Sequence, residues 1–213
     1  MESRMEKIWA KQDNRIALKV YKGHFATPSS HISHYFDMTT LKARASEARA
    51  VAQVLAQRYS HSTVVDTIVC MDGTEIIGGY LAEELMHAGI MSMNQHNTIY
   101  VIAPEMNGSG QVIFRDNLKM MIEKKNVLIL MASATTGKLL QNCVDSVLYY
   151  GGKVAGVSSI FSNISKMAGV EINTIFNQKD VPNYISHKSN ECELCRKKIK
   201  LDALVNGYGY SKL

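Results

Sequence analysis

Residues 127–138 read Val-Leu-Ile-Leu-Met-Ala-Ser-Ala-Thr-Thr-Gly-Lys. The five apolar residues at the start predict a strand that is buried on both faces. A short loop of small and hydroxylated residues follows, and then apolar residues recur at helical spacing until Gly151-Gly152. Those helical positions are Leu139, Leu140, Cys143, Val144, Val147 and Leu148. The stretch therefore predicts a buried strand that continues through a loop into an amphipathic helix.

The loop between this strand and helix is a candidate phosphate-binding site. Backbone N–H groups and the positive end of the helix dipole would meet there, and together they attract a phosphate-sized anion. An ordinary strand-to-helix turn with threonine capping explains the same local pattern, and the pattern alone leaves both interpretations open. The candidate residues are Ser133, Ala134, Thr135, Thr136, Gly137 and Lys138.

Two other phosphate-binding motifs are excluded by the sequence. A Walker-type loop would need glycine at Ala132 and serine or threonine at Leu139. A dinucleotide fingerprint would need a third glycine at Ile113 to complete Gly108-x-Gly110.

The composition is that of a globular protein from a reducing compartment. The chain has 213 residues, 46% hydrophobic and 20% charged, which is enough for one domain with a full core. The net charge of +5 suits an anionic small molecule as well as a nucleic acid, and no dense lysine/arginine block favours the latter. Four cysteines, two of them in one CxxC, favour free thiols. Since no apolar run approaches the roughly 20 residues of a membrane span, and no signal-peptide core is present, we expect a cytoplasmic protein without membrane contact.

Strands and helices alternate along the chain. Strands are predicted at 16–20, 34–38, 64–70, 97–102, 111–114, 127–131, 154–159 and 170–176, and helices at 2–11, 42–59, 77–88 and 139–148. This order predicts an α/β fold with a mostly parallel sheet flanked by helices. In such sheets ligands bind beyond the carboxyl ends of the strands, where residues 71–75 and 131–138 lie.

The CxxC motif near the C-terminus is a candidate zinc site. Cys192 and Cys195 have zinc-knuckle spacing, and His187 lies five residues upstream. A tetrahedral site needs a fourth ligand, for which the candidates are a partner chain, another histidine, Cys70 and Cys143. A reduced pair or redox-sensitive dithiol is the alternative. Three further histidines are expected to be surface or hydrogen-bonded side chains rather than catalytic ones: His24, His31 and His34.

The order of these segments resembles a type I phosphoribosyltransferase, most closely orotate phosphoribosyltransferase, over nearly the whole chain. In that family the matching segments are an N-terminal signature, a pyrophosphate loop, a mobile loop, a 5-phosphate loop and the Cys-rich ending of some bacterial members. Here the N-terminal signature corresponds to Gly23-His24-Phe25 with Ser29-Ser30-His31 and Tyr35-Phe36-Asp37. The pyrophosphate loop corresponds to Met71–Glu75, the mobile loop to Ala103–Gly110 and the 5-phosphate loop to Ala134–Gly137. The Cys-rich ending corresponds to Cys192-Glu193-Leu194-Cys195.

The resemblance implies a type I phosphoribosyltransferase fold in a single domain, 1–213. It would comprise a small N-terminal hood (1–41), an α/β core (42–180) and a Cys-containing C-terminal tail (181–213). It also implies a homodimer, Mg²⁺ if the chain is active, and a phosphorylated ribose or nucleotide as ligand. By residue, it implies a pyrophosphate loop of Met71, Asp72, Gly73 and Thr74, a mobile loop with Glu105, Asn107 and Gly108, and a base pocket of Phe25, Tyr35 and Phe36.

Several positions depart from the family's pattern. Met131 and Ala132 stand where adjacent acidic residues hold the ribose hydroxyls, directly or with Mg²⁺, and neither offers the oxygen ligands that a hard cation needs. Residues 103–110 lack the basic side chains of the mobile loop. The arginine that would meet the orotate carboxylate falls near Ser162, and a lysine of the N-terminal signature in some members falls at Pro28.

These departures predict a changed role. Losing one electrostatic stabiliser of a developing charge costs about 10² to 10³ in rate, and such losses together leave little chemistry although they are not additive. We therefore expect a protein that binds a phosphorylated ribose or nucleotide, with weak or no transferase activity, in a binding or regulatory role.

Two other classes of function remain open. One is an active Mg²⁺-dependent phosphoribosyltransferase that joins phosphoribosyl pyrophosphate to orotate or another base and recruits Asp72, Glu75 or Glu105 for the metal. The other is a nucleic-acid-binding regulator on the same fold, suggested by the positive charge.

Overall fold

The structure is a computed structural model that describes residues 2–28, 30–89, 92–95, 98–108 and 110–213. The strands are β1 (Met5–Trp9), β2 (Ala17–Ala26), β3 (His31–Asp37), β4 (Thr67–Cys70), β5 (Tyr100–Ile102), β6 (Glu105–Met106), β7 (Val112–Ile113), β8 (Asn126–Ala134), β9 (Lys153–Ser162), β10 (Lys166–Met167), β11 (Val170–Asn177), β12 (Ser186–His187), β13 (Ala203–Asn206) and β14 (Gly209–Lys212). The α-helices are α1 (Thr39–Ala43), α2 (Ala45–Ala56), α3 (Glu75–Met86), α4 (Asp116–Lys119), α5 (Lys138–Tyr149) and α6 (Glu193–Arg196). Single 3₁₀ turns cover Glu2–Arg4, Gln178–Asp180 and Ser189–Glu191.

The first sheet, here called the central sheet, has the strand order β10-β11-β9-β8-β4-β5. Its neighbouring strands run parallel except for the β10–β11 pair. β8 lies between β4 and β9, and its residues 127–132 are all buried. The predicted buried strand and mostly parallel sheet are therefore confirmed. β8 continues to Ala134, so Ser133 and Ala134 belong to the strand rather than to the loop after it.

Alternate residues of β8 pack on opposite faces of the central sheet, as the two-residue period of a strand requires. Leu128, Leu130 and Ala132 join a hydrophobic cluster that includes residues of α2, α3 and β2. The alternate positions, 127, 129 and 131, join a second cluster with the buried side of α5. Helices therefore cover both faces. The loop at residues 135–137 follows the carboxyl end of β8, a central strand of the sheet.

The second sheet, here called the hood sheet, is formed by both ends of the chain. Its order is β12-β3-β2-β13-β14, and β1 also pairs with β2. β1 lies along the first half of β2, whereas β13 pairs in parallel with its last two residues, Phe25 and Ala26. The C-terminal tail therefore supplies three strands of the hood sheet.

Two helix predictions need correction. Residues 5–9 form strand β1 rather than part of a helix over 2–11, and Ile8 pairs with Leu18 of β2. Two adjacent apolar residues, Ile8 and Trp9, give no helical face to bury, whereas pairing with β2 satisfies the backbone hydrogen bonds. The helix predicted over 42–59 is broken at Arg44, whose extended backbone separates α1 from α2.

Aromatic side chains join the two sheets. The ring of Phe36 on β3 lies 4.3 Å from the ring of Phe161 on β9 and 5.3 Å from that of Tyr184 in the tail. Such close ring contacts add to the free energy of burying the rings. Among the described residues, no helix is both long enough and apolar enough to cross a membrane.

Candidate functional site

The candidate phosphate loop, residues 133–138, ends at the start of α5. Gly137 precedes the helix with a left-handed backbone (φ +74°), and no side chain caps the helix. Within the described part of the chain, the N–H groups of Thr135, Thr136 and Gly137 donate no hydrogen bond. The threonine-capping interpretation is therefore not what the structure shows. Uncommitted N–H groups at a helix start are the arrangement that binds anions.

Charge and exposure at the phosphate loop also suit an anion. Thr136 and Lys138 are exposed, whereas Ala134 and Gly137 are buried. A Cβ atom at Gly137 would overlap the methyl group of Met167 and lie 3.0 Å from Ile164 Cδ1. The segment around β10 therefore supports the loop from behind, while the hydroxyl group of Thr136 and the ammonium group of Lys138 remain open to solvent.

Ser162 also supports the phosphate loop. Its hydroxyl group donates to the carbonyl of Ala134 at 3.2 Å and to that of Ile164 at 2.6 Å, and the N–H of Asn163 donates to Ala134 at 3.0 Å. The side chain of Ser162 is 2% exposed. Where the resemblance would place a base-reading arginine, this chain therefore has a buried hydroxyl that fixes the end of β8.

The β4–α3 loop, residues 71–74, lies beside the phosphate loop because β4 and β8 are neighbours. The N–H of Met71 donates to Leu130 at 2.8 Å. The hydroxyl group of Thr74 donates to the carbonyls of Met71 (2.8 Å) and Leu130 (3.2 Å), and Thr74 is completely buried. Asp72 and Gly73 both have positive φ angles, +58° and +76°. The loop is thus tightly bound to β8.

Lys42 and the tail close the β4–α3 loop. The ammonium group of Lys42, on α1, donates to the carbonyls of Asp72 (2.7 Å) and Gly207 (2.6 Å). Gly207, in the turn between β13 and β14, lies so close that a Cβ atom there would be 3.0 Å from Asp72 Oδ1. The tail turn therefore contacts the loop that the resemblance assigns to pyrophosphate.

Burial perturbs both charged groups at this contact. Burial raises the pKa of Asp72, although nearby Lys42 and the backbone N–H of Ala132 favour its carboxylate form. Burial lowers the pKa of Lys42, opposed by the carboxylates of Asp72 and Glu75. Desolvation is the larger effect for each group, as expected where charges leave water.

Comparisons with solved structures identify the type of fold. No protein-family model matches the chain, and no curated protein matches its sequence. Among solved structures, UMP synthase from Leishmania donovani matches with a TM-score of 0.54 at 16% identity, over 75% of this chain and 34% of that one. This chain has a type I phosphoribosyltransferase fold. It spans about a third of the length of that UMP synthase.

Two further solved structures match this chain over most of their own length. Adenine phosphoribosyltransferase from Thermoanaerobacter pseudethanolicus gives a TM-score of 0.52 at 15% identity, over 83% of this chain and 96% of that one. Orotate phosphoribosyltransferase from Aeropyrum pernix gives 0.51 at 18% identity, over 75% and 88%. At these identities the likeness is one of fold.

The two positions at which the resemblance expects an acidic pair lie in the hydrophobic core of this chain. Met131 and Ala132 are 1% and 4% exposed, and they face opposite sides of the central sheet. Among the described residues, the one group of three or more converging His, Cys, Asp or Glu side chains lies elsewhere, in the hood sheet. The residues at the phosphate loop do not fit a Mg²⁺ site, because they offer no set of carboxylate oxygens.

The segment predicted as a mobile loop forms a small hairpin of β6 and β7. Its Gly110 and Val112 carbonyls accept hydrogen bonds from Asn142 (2.9 Å) and Ser146 (2.8 Å) of α5. Glu105 forms a 2.6 Å ion pair with Arg115. Asn107 bonds to Gln111 across the turn that contains Gly108, and Ser109 of that turn lies outside the described residues. That this hairpin closes over a ligand stays a prediction.

The three residues predicted to frame a base lie in the hood sheet. Phe25 and Tyr35 are 0% and 5% exposed, and their rings are 6.0 Å apart within the core. Phe36 is half-buried against Phe161. A role for Phe36 in base stacking therefore stays a prediction that its exposure permits, whereas Phe25 and Tyr35 could take part only by supporting it.

The structure brings both cysteines of the CxxC motif to two histidines. Cys192 and Cys195 converge with His24 and His31, whereas His187 is not a member of the group. His187 lies opposite His31 in the β12–β3 pair. The signal in the sequence was the histidine cluster of the N-terminal signature, but spacing alone could not connect it to cysteines more than 160 residues away.

Proposed function

We propose that this chain binds a phosphorylated ribose or a nucleotide at residues 133–138, with weak or no transferase activity. The observation that carries the proposal is the set of uncommitted N–H groups of Thr135, Thr136 and Gly137 at the start of α5. Lys138 adds an exposed cation beside them. Hydrogen bonds to a charged group contribute about 1.5–3 kcal/mol each, which is sufficient for micromolar binding when several act together.

A binding or regulatory role is supported by what surrounds the phosphate loop. Buried Met131 and Ala132 replace the acidic pair, and Ser162 replaces the base-reading arginine. Each electrostatic group of this kind contributes about 10² to 10³ in rate. The phosphoribosyltransferase fold therefore keeps a place for phosphate here without the side chains that would stabilise a departing pyrophosphate.

Calorimetric titration with ribose 5-phosphate, AMP and UMP tests the proposal. Thr136→Asp places a carboxylate among the N–H groups, and we expect it to weaken binding at least about tenfold, since the repulsion replaces a charge-assisted hydrogen bond. Lys138→Ala should weaken binding by about threefold to tenfold, the range for a partly screened exposed cation. Lys153→Ala is the matched control, because Lys153 is exposed at the opposite end of the strands.

Two results would count against the proposal. If no phosphate ester binds to the native chain, the phosphate loop has no ligand of this class. If Lys153→Ala weakens binding as much as Thr136→Asp, the anion binds elsewhere.

An assay of Mg²⁺-dependent turnover separates the proposal from its alternative. An active transferase would release pyrophosphate from phosphoribosyl pyrophosphate in the presence of orotate or another base, and we expect no sustained release. The homodimer implied by the resemblance is a separate proposal, and analytical ultracentrifugation would test it.

A further inference from the structure

Four potential metal ligands from distant parts of the chain meet beside the hood sheet. His24 belongs to β2 and His31 begins β3, while Cys192 precedes α6 and Cys195 lies within it. Their ligand atoms all lie within 4.8 Å of one another. Both cysteines are free thiols. This convergence is separate from the phosphate loop and is not used by the proposed function.

Four of the six distances within this group lie close to those expected around a single tetrahedral ion. With Zn–S bonds of about 2.3 Å and Zn–N bonds of about 2.0–2.1 Å, neighbouring ligand atoms should be about 3.3–3.8 Å apart. His24 Nε2 lies 3.5 Å from Cys192 Sγ and 3.7 Å from Cys195 Sγ. His31 Nδ1 lies 3.2 Å from Cys195 Sγ and 3.1 Å from His24 Nε2. These four distances, with every pair of ligand atoms within 4.8 Å, place the four atoms around one point.

Groups behind the ligands fix the orientation of His24. Its Nδ1–H donates to the carbonyl of Ile199 at 2.8 Å, which leaves Nε2 free to bind a metal. Its backbone N–H donates to Asp202 at 2.9 Å, and the N–H of Asp202 donates back to the His24 carbonyl at 2.7 Å. A register shift between Lys22 and Phe25 places His24 at a β-bulge. Bulges commonly redirect a side chain in this way.

The arrangement also discriminates between kinds of metal centre. In a Rieske cluster two cysteines bind one iron and two histidines bind the other. Here each histidine lies within 3.7 Å of a cysteine sulfur, so the two ligand types are not segregated. Two thiolates and two imidazoles around one point are the ligands of structural zinc sites.

We propose that His24, His31, Cys192 and Cys195 bind one structural Zn²⁺ ion. The ion would join α6 to β2 and β3, and it would add to strand pairing that covers two residues of β12 and two of β13. It would also hold in place the β13–β14 turn, whose Gly207 contacts Asp72. Protein side chains would supply all four ligands and leave no coordination position for water or substrate. The site would therefore be structural rather than catalytic.

Metal content and cobalt spectra test the ligand set. We expect about one zinc ion per chain after purification under reducing conditions without chelator, because four protein ligands bind one ion. Co²⁺ exchanged into the native chain should give thiolate-to-metal charge-transfer bands and the strong visible bands of tetrahedral cobalt. Cys195→Ser and His31→Ala should each lower the zinc affinity at least about 100-fold, since each removes one of four ligands. His187→Ala is the matched control, because His187 lies opposite His31 and should keep the ion.

Limited proteolysis provides a readout that needs no variant. Residues 196–200 are exposed and contain Arg196, Lys197, Lys198 and Lys200. If the ion holds this segment, chelation of the native protein should speed tryptic cleavage there at least about tenfold, and added zinc should restore resistance. Absence of stoichiometric zinc together with no cobalt spectrum would overturn the proposal. Loss of zinc in His187→Ala with retention in His31→Ala would overturn the ligand set.

Discussion

The phosphate loop and the β4–α3 loop occupy equivalent places in the fold and differ in the segments that pack over them. Each follows one of two neighbouring parallel strands and leads into a helix of 12 residues. In each, the N–H of the helix's fourth residue donates to the residue before the helix, Gly78 to Thr74 and Gln141 to Gly137, both at 2.8 Å. Within the described part of the chain the N–H groups of residues 72–74 donate no hydrogen bond, as is also true of residues 135–137. The loops differ in what covers them, because Thr136 is exposed whereas Lys42 and Gly207 contact the β4–α3 loop.

The difference between the two loops comes from distant residues. Lys42 and Gly207 lie 30 and 135 positions from Asp72 in the chain, yet both contact the β4–α3 loop. No segment of comparable kind bonds to Thr135 or Thr136 within the described part of the chain. Position at the edge of a parallel sheet therefore makes a site available, and the segments that pack over it decide whether a ligand can use it.

The largest effect that we expect concerns how closely α3 packs on the central sheet. A Cβ atom at Gly78 would overlap Cys70 Sγ and lie 3.0 Å from Val101 Cγ1, whereas Gly79 faces open space. Gly78→Ala should lower the free energy of unfolding by about 2–3 kcal/mol through overpacking. Gly79→Ala in the same helix should raise it by about 0.5–1 kcal/mol. Urea denaturation measures both, and equal stabilities for the two variants would contradict close packing of α3.

Lys42→Met tests the closure of the β4–α3 loop. The change removes two hydrogen bonds from a partly buried ammonium group to main-chain carbonyls, so we expect a loss of about 1–2 kcal/mol of unfolding free energy. Faster hydrogen exchange of the backbone at 206–209 should accompany it. Lys22→Met is the control, because Lys22 pairs with Glu6 on the surface and should contribute less than about 0.5 kcal/mol. Similar losses for both variants would show that Lys42 does not hold the loop.

Ligand preference distinguishes an open loop from a closed one. If Lys42 and the tail turn keep the β4–α3 loop covered, the pyrophosphate group of phosphoribosyl pyrophosphate gains few new contacts. We therefore expect it to bind within about threefold of ribose 5-phosphate, a difference of about 0.6 kcal/mol. Calorimetry with each ligand measures the ratio. Binding of phosphoribosyl pyrophosphate about 100-fold tighter would mean that the β4–α3 loop still receives pyrophosphate.

The smallest effect is a pH dependence with a defined sign. Burial raises the pKa of Asp72 above its ordinary 3.8, so the folded state binds more protons than the unfolded state between 3.8 and the raised value. Stability is therefore lost as pH rises through that window. Asp72→Asn removes this loss. The free energy of unfolding of the variant should therefore rise relative to that of the native chain as pH rises above 3.8.

Asp13 supplies the opposite sign as a control for Asp72. Hydrogen bonding to Arg15 lowers the pKa of Asp13, so its stabilising contribution is present above 3.8 and is lost as pH falls through the lowered value. The free energy of unfolding of Asp13→Asn should therefore fall relative to that of the native chain as pH rises. Urea denaturation from pH 3 to 7 measures both variants, and parallel trends would contradict the buried environment of Asp72.

Local sequence predicted the centre of this fold well. Five consecutive apolar residues favour a strand buried on both faces, and glycine before Lys138 permits the left-handed backbone that starts α5. The strand, the loop and the start of the helix are therefore determined by residues that are close together in the sequence. The failure over residues 2–11 has the same origin, because Ile8 and Trp9 carry no periodicity and only the partner strand β2 determines their conformation.

What the sequence by itself determined was the alternation of strands and helices, the buried strand β8 and the glycine that precedes α5, because hydrophobic periodicity and backbone preference act over a few residues. Only the tertiary structure decided that the tail completes the hood sheet, that Gly207 and Lys42 close the β4–α3 loop, and that Cys192 and Cys195 meet His24 and His31. Those contacts join residues far apart in the chain, and their positions are fixed by the packing of whole elements rather than by any local pattern.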